Sequence, residues 1–382
     1  MIRVVAIAAL CAHAGCLLEF DARLLATDAV PRLATGEAQS CALWIDDVPW
    51  CWGSNDGGQL GHDGGDAGPM PIEGVALRSI ATGGYEIGHS CGIDDDGAVL
   101  CWGTNGDAEL GQGTVGGGSP IPSKAALELA ATRVAVGTTV SVALDERGRL
   151  WTWGWNGDGR LGFGADVGTQ STPRLLEDRH VWITLDYGTR HGCAVDEAGA
   201  LYCWGEAVSG KLGRDDTDPR PAGVQGGASA WRSVSAGVEH TCAIAREGSL
   251  WCWGDDTSGQ AGGQAGGQAG GQPSTPRRVG DDRDWIAIAT GASHSCGLRE
   301  AGTLWCWGSN EHGQLGVGII EPREGVVQVG ERDDWIELSV AGDHGCARTS
   351  DDTVWCWGAN AVGQVGAEGY ADTPSPVAIL EP

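Results

Sequence analysis

Basic residues are scarce in this chain. Across 382 residues, 24 Lys and Arg stand against 51 Asp and Glu, a net charge of −27. So acidic a chain repels nucleic acid and anionic lipid surfaces. No basic patch breaks the imbalance, and Arg277-Arg278 is the nearest approach to one. Long hydrophobic runs are missing too. The stretch from Val4 to Ala12 is too short to span a bilayer as a helix. Helical periodicity is absent, which argues against an α-helical fold. No P-loop and no His-Glu-x-x-His motif occurs. Nor does the Cys-x-x-Cys spacing of structural zinc sites. Asp, Glu and His are plentiful, but their positions follow a repeat. The expectation is a non-catalytic chain with no cofactor and no metal.

What the chain does have is a period. Trp-Gly recurs at Trp52, Trp102, Trp153, Trp204, Trp253, Trp307 and Trp357, at steps of 50, 51, 51, 49, 54 and 50 residues. A period near 50 signals a repeat architecture, in which stacked units form one domain. Gly accounts for 65 residues, but at fixed repeat positions, which indicates turns in an ordered array.

Six of the seven Trp residues follow a cysteine, with a second cysteine ten positions earlier. Cys41 goes with Cys51, Cys91 with Cys101, Cys193 with Cys203, Cys242 with Cys252, Cys296 with Cys306 and Cys346 with Cys356. The third repeat carries Val142 and Thr152 instead. Joint loss of both members is what a bonded pair predicts. Between Cys91 and Cys101 lies an Asp-rich turn with Gly97, flanked by apolar runs, which reads as a β-hairpin. The two cysteines then face each other across strands at disulfide distance. Six disulfides require an oxidising compartment.

The N-terminus offers the route. Arg3 and the apolar stretch after it have the layout of a secretory signal, and Ala14-Gly15-Cys16 resembles the lipobox of bacterial lipoproteins. His13 departs from the aliphatic residue usual there. The 14 cysteines divide into six pairs, Cys11 within the signal and Cys16 for a lipid. The expected organisation is a signal at 1–15, a linker at 16–30 and the repeats at 31–382. The chain is expected in an outer-membrane or periplasmic location, with plain secretion as the alternative. Its membrane contact would be the lipid alone.

The sixth repeat shows the unit. Trp285 to Ala289, His294 to Leu298, Thr303 to Trp307 and Gly325 to Val329 read as four short strands joined by turns. Four strands per ~50 residues is the pattern of a propeller blade. A Gly-Gln-Leu-Gly element, as at 58–61 and 313–316, pins a loop with its Leu, and the Trp residues pack between blades.

The unit resembles the regulator-of-chromosome-condensation family. The matching signature is Gly-x-x-His-Ser/Thr-Cys, an acidic Gly turn, Leu-x-x-Trp-Gly and Gly-Gln-Leu-Gly, over about 350 residues. The resemblance implies an all-β, seven-bladed β-propeller with four antiparallel strands per blade. Pro376 to Leu380 matches a fourth strand with nothing after it, so it is expected to close the ring by pairing into the first blade.

Functional candidates are the departures from the repeat. His89, His191, His240, His294 and His344 share one position, which Gln39 and Val140 break. The family resemblance makes this histidine structural, bonded to a backbone group, rather than a metal ring. Acidic turns such as Asp94 to Asp96 read as solvated rather than calcium-binding. The Gly-Gln-Ala-Gly slip from Gly259 to Gln272 reads as a rim loop. Tyr85 and Glu86 in the second repeat, and Trp155 and Phe163 in the third, are the binding-surface candidates. The leading reading is an exported, lipid-anchored, monomeric scaffold for an unidentified protein partner. Alternatives are an inhibitor of the β-lactamase-inhibitory propeller type, a guanine-nucleotide exchange factor by family analogy, and a polysaccharide-acting enzyme.

Overall fold

A computed structural model describes residues 31–44, 46–62, 68–84, 87–176, 179–262 and 273–380. These form seven four-stranded antiparallel sheets arranged as the blades of a β-propeller. Each blade is one contiguous stretch of chain, and its strands are neighbours in sequence order. The sixth runs Trp285–Thr290, His294–Arg299, Leu304–Gly308 and Val327–Gln328. The two middle strands alternate around a short Gly turn, so every second residue faces the same neighbouring blade.

The cores lie between blades. Leu298, Leu304 and Leu315 of the sixth blade pack against Trp335, Ala347 and Trp357 of the seventh. Ring closure differs from the sequence expectation. Thr373–Ile379 pairs with Val354–Gly358 and completes the seventh blade. Leu33–Thr35 supplies the first blade's inner strand. The first blade's two middle strands are already flanked by Leu33–Thr35 and Met70–Pro71, which leaves the last strand no place beside them, and side chains bridge every junction, including this one. The Trp52 Nε1–H donates to the Gln364 carbonyl at 3.0 Å, as the other six Trp-Gly indoles donate to their preceding blades. A clasp particular to this junction adds to it. Glu337 accepts the Arg32 and Leu33 N–H groups at 2.7 and 3.0 Å, while Arg348 donates to the Leu43 carbonyl at 2.9 Å. Leu33 and Trp52 share a core with Val365 and Ile379.

The Trp-Gly pair also has a backbone cause. Gly254 sits at φ 101°, and a Cβ there would meet the Glu239 carbonyl oxygen at 2.5 Å. That oxygen accepts the Asp255 N–H at 2.8 Å, tying the inner turn to the third strand. Only glycine allows both the left-handed φ and the close approach. Gly254→Ala is expected to cost about 2–4 kcal/mol, read by urea denaturation. An unchanged midpoint would refute this account of the motif.

The outer strands are edges. In the first, fourth, fifth and sixth blades they are two residues long. The longer ones, Ser119–Lys124, Gln170–Leu175 and Thr373–Ile379, all contain proline, which lacks the N–H needed to pair with a foreign strand.

Candidate functional site

Three repeat positions converge around the axis on the face that carries the Trp-Gly loops. The last residue of the inner turn is Ala38, Gly88, Thr139, Arg190, Glu239, Ser293 or Asp343 in successive blades. The residue after Trp-Gly is Ser54, Thr104, Trp155, Glu206, Asp255, Ser309 or Ala359, and its N–H bonds to the carbonyl of the first in every blade. The second residue of the Gly-Gln-Leu-Gly element is Gln59, Glu109, Arg160, Lys211, Gln260, Gln314 or Gln364. Its carbonyl receives the next blade's Trp indole.

The axis itself holds a cavity of about 290 Å³ lined by all seven inner strands. Many of its polar groups already bond between blades. Thr35 and Ser339 hydroxyls meet at 3.0 Å, as do Ser235 and Thr290. The Asp186 carboxylate accepts the Ala236 N–H at 2.8 Å, and burial pushes its carboxyl above the ordinary range. At the mouth, burial and then the neighbouring Asp343 push Glu37 up to about 8, against the opposing effect of Arg190.

Cations gather at one junction of this face. Arg160 is 5% exposed, yet its bonds are long: 3.4 Å to the Thr139 hydroxyl and 3.6 Å to Asp158. Its Nε has no partner among the described residues. The Trp155 ring lies 4.5 Å from the guanidinium and is 36% exposed. Arg190 stands on the next blade with its side chain 51% exposed, 3.2 Å from Glu206. Lys211 is fully buried and satisfied by Glu206 at 2.6 Å and Glu239 at 3.1 Å.

Seven repeated blades with this signature match a sequence profile described as the RCC1-like domain over residues 48–381. The chain belongs to that family. Among its relatives is the ultraviolet-B receptor UVR8 of Arabidopsis thaliana, 29% identical over 75% of this chain and 66% of the receptor. The human E3 ubiquitin-protein ligase HERC2 is 29% identical over 52% of this chain, but the match spans 4% of the ligase. The solved Saccharomyces cerevisiae Prp20p has a TM-score of 0.76 at 20% identity, covering 94% of this chain and 89% of that one, which shows a shared fold.

In this RCC1-like propeller the six cysteine pairs are bonded as the spacing predicts. Cys41 is joined to Cys51, Cys91 to Cys101, Cys193 to Cys203, Cys242 to Cys252, Cys296 to Cys306 and Cys346 to Cys356. Each bond links directly opposed residues of the two middle strands, as Cys193 opposes Cys203 and Cys242 opposes Cys252. Val142 and Thr152 face each other at the same register in the third blade. The six disulfides point to an oxidising, extracellular environment. No helix among the described residues is long and apolar enough to cross a membrane.

The repeated histidines are structural, but the expected backbone partner is a correction. Nε2 of His89, His191, His240 and His344 meets a hydroxyl of the next blade (Ser141, Thr241, Ser295 and Ser40) at 2.7–2.8 Å. That hydroxyl donates onward to a carbonyl of the histidine's own blade. The strand ladders consume the nearby backbone groups, so the imidazole reaches across the junction instead. Where Val140 removes the imidazole, the opposing position is Gly192, and the Tyr187 hydroxyl takes over the Arg160 carbonyl at 2.7 Å. His294 faces Gly345, and neither of its ring nitrogens has a partner among the described residues. No group of three metal-ligating side chains occurs among them either. The acidic turns bind their own backbone: Asp94 accepts the Ala98 N–H at 2.7 Å.

Of the surface candidates, Trp155 stands on the axial face, while Phe163 packs at the edge of the third-fourth blade core beneath Arg174. Tyr85 and Glu86 lie outside the described residues, as do Cys16 and the signal. Sequence reasoning missed Arg160 and Arg190. Aligning the three loop positions across the repeats shows Arg190 as the single cation at the first and Arg160 and Lys211 as the two at the third.

Proposed function

We propose that this protein is an exported, non-catalytic propeller that binds another protein through its axial loop face and is held at a membrane by a lipid on Cys16. The observation that carries the reading is the set of six buried disulfides in a ring whose repeated polar groups are spent on holding blades together. Trp155 and Arg190 depart from the repeat and stand exposed on the axial loop face. Relatives support a binding role: the Prp20p structure is described with binding properties to Gsp1p and histones, and UVR8 is a receptor. The ligase activity named for HERC2 belongs to a protein of which this chain matches 4%, and does not enter the proposal.

Intact mass of the full-length chain, recovered from a Gram-negative host and alkylated without reductant, tests the reading. The expected product begins at an acylated Cys16 and carries no alkylated thiol. A chain retaining Met1 with its paired cysteines alkylated would overturn export and anchoring together.

A further inference from the structure

Charge is unevenly distributed around the ring. Residues 31–130, the first two blades, carry 3 basic and 14 acidic residues. Residues 231–382, the last three, carry 9 and 21. Residues 131–230, the third and fourth blades, carry 10 and 13. One sector is nearly neutral between two strongly acidic ones.

The same sector holds the loop-face departures. At the three convergent positions of seven blades, cations occur at Arg160, Arg190 and Lys211, and an aromatic at Trp155. Lys211 is neutralised by two carboxylates. Arg160 is not: it is buried, and among the described residues its Nε is unpartnered and its carboxylate contact, Asp158, is 3.6 Å away. A buried guanidinium whose charge is poorly compensated favours an anion placed close above it. Planar donor forks favour carboxylates. Trp and Arg side by side are also the residue types that dominate binding energy at protein interfaces.

We propose that the junction of the third and fourth blades docks an acidic segment of a partner protein. An apolar side chain of the segment lies on Trp155. Its carboxylate takes Arg190 at the mouth in place of the Glu206 contact at 3.2 Å, and the Arg160 guanidinium beneath the Trp155 ring adds its charge to the seat without touching the segment. The acidic blades on either side repel the ends of any segment laid across them, so the anionic stretch must be short and centred on this junction. This rests on the protein-binding reading above and assigns its site.

The test is fluorescence anisotropy with a labelled Asp/Glu-rich peptide bearing one central Leu, and a Lys-rich peptide of the same length as control. The acidic peptide is expected to bind the wild type at about 20 mM salt and to weaken several-fold at about 200 mM. Trp155→Ala and Arg190→Ala should each weaken it about tenfold. The Arg190 side chain is half exposed, so Arg190→Ala keeps the wild-type melting temperature, while Trp155→Phe, which keeps a ring over Arg160, should restore most of the binding lost in Trp155→Ala. Failure of the acidic peptide to bind, or binding that neither alanine variant changes, overturns the inference. Binding of the Lys-rich peptide alone also overturns it, but leaves the protein-binding reading standing on the acidic blades. Self-association in sedimentation that Trp155→Ala abolishes would give the site to a second copy, and likewise overturns it.

Discussion

Acidification from about pH 7.5 to about pH 4.5 is expected to work against the ring through the neutral imidazoles buried at its junctions. Burial holds His89, His294 and His344 down at about 3 and His240 at about 4, and His191 well below its ordinary value. In the unfolded chain each titrates near 6.5. Between those values the unfolded state binds the extra protons, so stability falls as pH drops below 6.5 and stops falling near 3–4. Each imidazole loses about 1.4 kcal/mol per pH unit in that window. Two units below 6.5, four of them lose on the order of 10 kcal/mol, comparable with a domain's whole stability.

Carboxyls work in the opposite direction. Glu37, pushed up to about 8 by burial and Asp343, gains stability as pH falls through that value, and Asp186, Glu109, Glu337 and Asp343 shift the same way. A single substitution separates the two groups. Gln39 already occupies the histidine position in the first blade and bonds the Gly83 carbonyl at 3.0 Å, so glutamine fits there. His344→Gln should cost about 1 kcal/mol at neutral pH, for the lost bond to Ser40. Near pH 4.5 it should be more stable than the parent by about 1–2 kcal/mol, since it no longer has a proton to exclude. Urea denaturation at both pH values reads the crossing. Curves that stay parallel would show that the imidazole is not what acid attacks.

Disulfide loss is the second large effect. Each bond closes a loop of 10 residues' separation and contributes about 2–3 kcal/mol on the chain-entropy account. The third blade shows how to remove one without a packing change, because Val142 and Thr152 fill the same opposed positions. Cys296→Val with Cys306→Thr should therefore lower stability by about 2–3 kcal/mol and leave the fold intact. The six loops are local and separate, so their contributions approach additivity, on the order of 15 kcal/mol. That is as large as the stability of a typical domain. A chain unfolded, reduced and diluted with reductant present should stay unfolded at 25 °C. Recovery of the native tryptophan fluorescence under those conditions would show that the staples are dispensable. The native protein should resist reductant, since both cysteines of every pair are buried.

Much of this molecule could be read without its structure, because much of it is local. A strand–turn–strand of about fifteen residues contains the opposed cysteines, the turn glycine and the Trp-Gly pair, and its register pairs residues at most 14 apart, as His191 with Gly205. Repetition of that unit determined the blade count, the strand number per blade and the bonded pairs. Cys51 and Cys356, at opposite ends of the chain, each find their partner by the same ten-residue spacing. The tertiary structure decided everything that spans a junction. Whether the last strand crosses to the first blade depends on contacts such as Trp52 with Gln364, 312 positions away. His89, His191 and His240 find their partners 52, 50 and 55 residues downstream, and His344 finds Ser40 304 residues upstream. Arg190 and Trp155 belong to different blades, and neither local segment shows that the loops of both blades turn toward the same mouth. Hairpin register follows from side chains that meet within a few residues of chain. A junction follows from the rotation of one rigid blade against the next, and the closed ring sets that rotation for all seven at once.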